Sequence, residues 1–228
     1  MIGAFNRRLD PVVAAHREER LMDHARLAMP LGEAMFTQRS IRRFKPDPIP
    51  VDDLRLVLEA ALRAPNGGNR QIGRFLAITD RTRIREFAKL YHEAWWAKRF
   101  DEKGWTKPAD IPADDRNYQA AMRLADEIGE APCIVFAFAL PPGHANSVIP
   151  AAQNLMLAAR ALGIGSTPTT LHPKVMDRFH AMFGIPKDVV FHFCIPLGYP
   201  RTAFGGSVRR PTTETCFLDR WGGPVPWA

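Results

Sequence analysis

The sequence feature that most constrains the fold is an apolar run, PCIVFAFAL, at residues 132–140. A strand with one face in solvent alternates apolar and polar residues, whereas this run is apolar throughout. It is typical of a strand covered on both faces, and we place it at the centre of a sheet. A second apolar run at 189–197 and a shorter one at 75–79 predict two more strands.

Helical periodicity predicts the layers that cover this sheet. In residues 52–64 the apolar side chains fall on one face of a helix, and two acidic residues at the N-terminal end complement the helix dipole. This segment is therefore predicted to be a helix. Ser147 is expected to cap a helix that runs through Leu162 and ends at Gly163. Further helices are predicted at 173–183 and over most of 81–128. Since no repeat is found and the strand connections are long, the predicted fold is α+β, with a mixed central β-sheet wrapped by helices.

Length and composition indicate one globular domain, because 228 residues with 46% hydrophobic content can bury one substantial core. Within it, residues 1–34 are expected to carry an amphipathic leader helix, which starts after Pro11, has apolar residues through Met29, and packs on the body or on a partner. Residues 35–200 form the main body, with an interrupted, aromatic-rich region at about 91–118 that could be a lid. Residues 201–228 form a C-terminal extension without helical or strand periodicity.

Charge and cysteine usage exclude several classes of protein. The net charge is +7, but the basic residues are scattered among acids, which argues against nucleic acid and membrane surfaces as partners. No segment is apolar and long enough for a signal peptide or a membrane span. The cysteines, Cys133, Cys194 and Cys216, lack metal-site spacing, so we expect no metal, reduced thiols and a cytoplasmic location.

Separated polar segments offer the chemistry that a flavin phosphate and ring require. Arg39, Ser40 and Arg209 could bind phosphate oxygens, because guanidinium forks and hydroxyls match their geometry. A cation such as Arg42 would stabilise the anionic N1–C2 edge of a reduced flavin. Asn69 and Gln71 provide both donors and acceptors for the pyrimidine edge. Taken singly, each of these segments has an ordinary alternative, a solvated basic turn, a loop or a tail.

The order of the segments resembles the FMN-dependent nitroreductase family from about residue 36 to residue 221. The resemblance rests on QRSIRRF, on APNGGNRQ after the first long helix, on IPAAQNLMLAARALGIGSTPTT, on IPLGYP, and on VRRPTTE with DRWG. It implies a nitroreductase-like fold and an intertwined homodimer with two shared FMN sites. A monomer would then lack a complete site.

The resemblance also implies a set of cofactor-binding residues. The basic segment (residues 39–44) would contribute Arg39, Ser40 and Arg42, and Arg209 would return to the phosphate. The backbone of Pro168, Thr169 and Thr170 would face the flavin ring near N5. The loop after the first long helix would contribute five residues: Pro65, Asn66, Gly67, Asn69 and Gln71.

The implied activity is hydride transfer from NADH or NADPH to FMN, and then ping-pong reduction of a small aromatic or unsaturated acceptor such as a nitroaromatic or quinone. The flavin performs the chemistry, so no protein residue is expected to be catalytic. The acceptor would meet lid residues, and the candidates are His92, Trp95, Trp96, Trp105 and Tyr118. An equally weighted alternative is that these aromatic side chains belong to the core.

Two departures from the family pattern leave the subfamily open. Gln38 stands where many members have a second arginine, and Ile72-Gly73 stands where many have Pro-Trp. Alternatives to nitro or quinone reduction are dehalogenation, ene reduction, and a flavin-binding protein without turnover. Benzimidazole synthesis is disfavoured because Ser40 replaces the acidic residue of that type. The sequence does not distinguish NADH from NADPH.

Overall fold

The computed structural model describes residues 24–227. Most of the predicted leader helix, including its start after Pro11, lies outside the described residues. Its last part forms only a 3-10 turn, His24–Arg26, and residues 27–30 are not helical. The expected continuation of that helix to Met29 is therefore wrong.

The sheet has four strands: β1 (Gly73–Ile78), β2 (Cys133–Ala139), β3 (Gly165–Ser166) and β4 (Val190–Gly198). Their order is β1-β2-β4-β3, and each neighbouring pair is antiparallel. A parallel pairing occurs as an isolated bridge between Ser40 and Ser166. All residues of β2 are buried, as the apolar run predicts.

Seven α-helices surround this sheet in the described part of the chain. They are α1 (Leu31–Thr37), α2 (Val51–Leu62), α3 (Arg81–Lys103), α4 (Arg116–Glu127), α5 (Val148–Ala161), α6 (Met176–Phe183) and α7 (Thr212–Thr215). Short 3-10 turns lie at Gly67–Asn69, Pro108–Asp110, Ile128–Glu130, Ala145–Ser147 and Pro173–Val175. The α+β class and the helical wrapping are confirmed.

The two faces of β2 carry two separate apolar layers, because successive side chains of a strand point in opposite directions. Phe136 and Phe138 face α3, α4 and α6, where Phe136 lies 4.8 Å from Phe87 and 4.9 Å from Phe179 between ring centroids. Cys133 and Val135 face α2 and α5. Helices therefore cover both faces of β2, as the apolar run predicts.

Two local expectations are resolved at helix ends. Ser147 precedes α5 but makes no side-chain cap; instead its hydroxyl accepts a hydrogen bond from the Gly67 amide at 3.2 Å. The predicted capping role is therefore wrong, because a loop competes for the same oxygen. The break expected near Gly104 is present, and this glycine ends α3 with a φ of 72°, a left-handed conformation.

Candidate functional site

The basic segment lies against β3. Ser40 bridges Ser166, and the Ile41 amide donates to the Ser166 carbonyl oxygen at 2.9 Å. A side chain on Gly165 would collide with Ile41, since an ideal Cβ there lies 2.7 Å from Cγ2. Glycine at this position thus allows the basic segment to approach the strand closely.

Arg42 points into a partly buried position close to two other ionisable groups. Burial lowers the pKa of the Arg42 guanidinium, the nearby Tyr91 hydroxyl opposes this shift, and the positive charge of Arg39 adds to it. Among residues 24–227, neither Arg39 nor Arg42 forms an ion pair with an acidic side chain. A pair of neighbouring, uncompensated arginines favours an anion at this place.

The segment 168–170 is fixed beside these arginines by its own contacts. The Thr169 amide donates to the Cys194 carbonyl oxygen at 2.9 Å, and the Cys194 amide donates back to the Thr169 carbonyl oxygen at 2.8 Å. The hydroxyl groups of Tyr91 and Thr169 are 2.9 Å apart. Pro168 and Thr170 are exposed, so this segment presents a rigid and accessible edge.

The start of the C-terminal extension lies over the same region. The Arg160 guanidinium lies 4.1 Å from the centre of the Phe204 ring, and its Nε donates to the Thr37 hydroxyl at 2.9 Å. An ideal Cβ on Gly205 would lie 4.0 Å from an Arg39 guanidinium nitrogen. Farther along, Arg209 is exposed, and its NH1 bonds the carbonyl oxygen of its own neighbour, Val208.

The loop after α2 forms a second, separate group of predicted site residues. The Asn66 side-chain oxygen accepts a hydrogen bond from the Gln71 amide at 2.9 Å, which holds the loop closed. Gln71 has a φ of 50°, and such left-handed backbone in a non-glycine residue often marks a functional loop. Pro65, Gly67 and Asn69 are exposed on this loop.

The two groups make no direct polar contact with each other in residues 24–227. Over the described range, no hydrogen bond or ion pair joins the loop 65–71 to the basic segment or to segment 168–170. The structure therefore brings together Arg39, Ser40, Arg42 and the three residues at 168–170. Within residues 24–227, the loop residues and Arg209 make no hydrogen bond or ion pair with this group.

The comparisons with known proteins identify the family. The model of the family described as "Nitroreductase family" matches residues 36–199. This chain belongs to the nitroreductase family. The resemblance found in the sequence is confirmed, and with it the class of enzyme, an oxidoreductase.

Similarity to individual members of the nitroreductase family is distant but extensive. A Thermus thermophilus protein named NADH dehydrogenase is 28% identical over 73% of this chain and 85% of its own. An iodotyrosine deiodinase of Thermotoga neapolitana is 27% identical over 72% and 84%. The FMN-dependent nitroreductase of Mycobacterium smegmatis, solved in complex with NADPH, has a TM-score of 0.66 at 23% identity, covering 86% of this chain and 99% of its own. At that identity the structure shows that the fold is shared.

The predicted lid region of this nitroreductase-family chain, about 91–118, covers the second half of α3, the connection after it and the start of α4. Trp95 is buried in the core, as the alternative interpretation holds, whereas Trp96, Trp105 and Tyr118 are partly buried. The Trp105 and Tyr118 rings pack edge to face at 5.0 Å. His92 is exposed; its Nε2 accepts from the Trp96 indole at 3.2 Å and lies 3.3 Å from Asp126. The five candidates lie on α3, on α4 and, for Trp105, in their connection, with different exposures.

Three residues of this region were missed by the sequence reasoning. Tyr91 holds Thr169, Lys98 donates to the Thr170 hydroxyl at 3.3 Å, and Arg160 anchors Phe204. The helical period gives a signal for Tyr91, which lies one turn before Trp95 on the same stripe. A charged Arg160 inside the apolar stretch LMLAARALG is an equally visible anomaly.

A mainly apolar cavity of about 760 Å³ lies elsewhere, between α1, α2 and α5. None of the predicted cofactor or acceptor residues lines it; its wall includes Leu27, Leu31, Leu56 and Leu157. We therefore base the site on the arginines and segment 168–170. In the part of the chain that is described, no helix is long and apolar enough to cross a membrane, and no group of three or more metal-binding side chains occurs.

Proposed function

We propose that this chain is an FMN-dependent NAD(P)H oxidoreductase that reduces a small aromatic or unsaturated acceptor, such as a nitroaromatic or a quinone. The observation that carries the proposal is the pair Arg39 and Arg42, neighbouring cations without an acidic partner in residues 24–227. An anionic cofactor at this place would offset both charges. Membership of the nitroreductase family and a relative named NADH dehydrogenase support the same activity.

The residues present fit FMN by the chemistry of their donors. Arg39 and the exposed Ser40 would hold phosphate oxygens, and Arg209 would join them from the extension. Arg42, partly buried, would lie at the N1–C2 edge, where its fixed charge favours the reduced form. Held by these residues, FMN would supply the hydride and electron transfer between a nicotinamide and the acceptor.

The protein would contribute position and exclusion of water rather than acid–base groups. Segment 168–170, fixed to Cys194 and Tyr91, would present its backbone to the ring near N5. The amides of Asn69 and Gln71 would bind the pyrimidine edge, and the left-handed backbone at both positions holds the loop in one conformation. His92, Trp96 and Tyr118 would line the acceptor side.

The complete site would form in a homodimer. The loop 65–71 makes no hydrogen bond or ion pair with the basic segment in the same chain, within the described residues, which supports its use by a partner. Large apolar side chains are exposed on α1, α2 and the extension, as expected for surfaces that bury on association. Examples are Phe36 at 77%, Val51 at 80%, Val208 at 95% and Trp221 at 92% exposed. We place this dimer in the cytoplasm, where unpaired thiols are usual.

The test is anaerobic mixing of the yellow holoprotein with NADH or NADPH. We expect bleaching of the flavin absorption band and its return when a quinone or nitroaromatic is added. A protein that binds FMN but is not bleached by either nucleotide would be a flavin carrier without turnover, and the proposal would be refuted.

Arg209 tests the predicted wrapping of the extension. Arg209→Ala should weaken FMN binding by about 1.5–3 kcal/mol, the range for hydrogen bonds to charged groups. Arg210→Ala, next to it, is the matched control, because Arg210 lies 3.9 Å from Glu214 and has no predicted contact with phosphate. FMN titrations by fluorescence quenching measure both, and equal affinities for the two variants would remove Arg209 from the site.

A further inference from the structure

Three side chains of α3 fasten this helix to the segment 169–172. Tyr91 meets Thr169 at 2.9 Å, Lys98 donates to Thr170 at 3.3 Å, and Asp101 accepts from the Nε2–H of His172 at 2.8 Å. The His172 Nδ1 accepts from the Lys174 amide at 3.2 Å, so its proton lies on Nε2. The Lys98 ammonium group is therefore held at the seam between α3 and the segment 169–172, part of which is expected to face the flavin.

The acidic partner of Lys98 is shared with a second cation. Glu102 lies 3.9 Å from Lys98 but 2.7 Å from Arg99, so its carboxylate serves Arg99 first. Glu102 therefore neutralises Arg99 first, while the Asp101 carboxylate on the same helix is held by the Nε2–H of His172. Lys98 remains 41% exposed in its side chain and can reach a ligand from the seam.

Arg99 is a buried cation whose hydrogen bonding is incomplete. Its side chain is 9% exposed, and its Nε has no hydrogen-bond partner in residues 24–227. Its guanidinium lies 5.3 Å from the Trp95 ring centre and 5.1 Å from that of Tyr118, which gives partial compensation. A buried guanidinium of this kind raises the electrostatic potential around it, because solvent screens it poorly.

We propose that the acceptor site selects aromatic acceptors that carry a carboxylate, and that Lys98 is the residue that contacts this carboxylate. Arg99, the next residue of α3 and buried, adds to the positive potential around Lys98. The inference rests on the proposed function, because the acceptor must stack beside segment 168–170. Lys98 offers a single ammonium group, which matches a monoanionic carboxylate, whereas a phosphate group would bring nearly two negative charges. The partly buried Trp96, Trp105 and Tyr118 supply the aromatic wall that such an acceptor requires.

The experiment measures reoxidation of the photoreduced holoenzyme by a matched pair of acceptors, 4-nitrobenzoate and the neutral 4-nitrobenzyl alcohol. Stopped-flow absorbance gives a second-order rate constant for each, and their ratio is compared among wild type, Lys98→Gln and Lys89→Gln. Lys89 is an exposed lysine of the same helix and controls for the loss of one charge. We expect Lys98→Gln to lower the carboxylate-to-neutral ratio about tenfold, the factor for one charge-assisted hydrogen bond. Lys89→Gln should leave the ratio unchanged.

The outcomes separate this inference from its alternatives. If Lys98→Gln slows both acceptors equally, Lys98 only positions Thr170 and charge selection is refuted. If it leaves the ratio unchanged but weakens reduction by NADPH relative to NADH, the anion recognised is a phosphate of the nucleotide, and the inference is wrong. If neither acceptor reoxidises the reduced wild-type enzyme, the proposed function itself fails and the inference fails with it.

Discussion

The contact between Tyr91 and Thr169 should show unequal costs when each partner is removed. The two hydroxyl groups are 2.9 Å apart, but Tyr91 is 2% exposed whereas Thr169 is partly exposed. Removing a hydrogen-bond partner costs most when the remaining group is buried without water. Thr169→Val leaves the buried Tyr91 hydroxyl unpaired, whereas Tyr91→Phe leaves a hydroxyl that solvent can reach.

The magnitudes follow from these two burials. Tyr91→Phe loses one net hydrogen bond and should lower the free energy of unfolding by about 1 kcal/mol. Thr169→Val also incurs the desolvation of an unpaired hydroxyl and should cost about 2 kcal/mol. The double variant has no unpaired hydroxyl, so its cost should fall below the sum of the two by about 1 kcal/mol, the coupling energy of the pair.

Urea unfolding followed by tryptophan fluorescence measures all four proteins without FMN and at one protein concentration, because a change in cofactor binding or association would shift apparent stability. The burial argument predicts both the order of the single variants and the sign of the coupling. Equal costs that add in the double variant would refute it, since they would mean that the hydroxyl groups do not interact in solution.

Two further predictions concern packing and thiol chemistry. Gly165→Ala should lower the free energy of unfolding by about 1–3 kcal/mol, because the added methyl group would be overpacked against Ile41. Gly32→Ala is the control and should not lower it, because nothing lies within 4 Å of the added methyl group. Urea unfolding compares the two variants, and equal stability would contradict the close approach of Ile41 to Gly165. Burial raises the pKa of the Cys133 thiol to about 12 and also raises the pKa of the Cys194 thiol. Cys216 is exposed, so at pH 8 a thiol reagent should modify only this cysteine in the native protein. Because the unfolded thiols ionise first, stability should be lost progressively above their ordinary pKa of about 8.5. Native modification of Cys133, detected by mass spectrometry, would contradict this.

The fold was predictable where burial alone decides the structure. The unbroken apolar run of β2 predicts a strand covered on both faces, and its alternate residues do reach the two layers. α1 was not predicted, because its sequence LGEAMFT exposes Leu31, Met35 and Phe36 and so lacks an amphipathic pattern that a single chain would satisfy. A helix that buries one residue, Ala34, gives no such periodic signal.

For the candidate site, the sequence indicates residue types but not their contacts. The arginines of the basic segment stand out by charge, yet the partner of Tyr91 lies 78 positions away along the chain. Lys98 and Arg99 are adjacent cations in sequence, but one is half exposed and the other buried, since their helical positions differ by 100°. The misassigned cap at Ser147 has the same origin, because its hydroxyl meets a loop 80 residues earlier. Such contacts depend on tertiary structure that local propensity does not determine.

The left-handed glycine at the end of α3 has a consequence for how this scaffold can diversify. Gly104 ends a helix that is fastened at three points to the segment 169–172. Insertions or deletions in residues 104–115 would therefore not shift the register of that helix, because the change of length begins beyond its last turn. Under the proposed function, such length changes would reshape the acceptor side of the site while Tyr91, Lys98 and Asp101 keep their contacts with the segment 169–172.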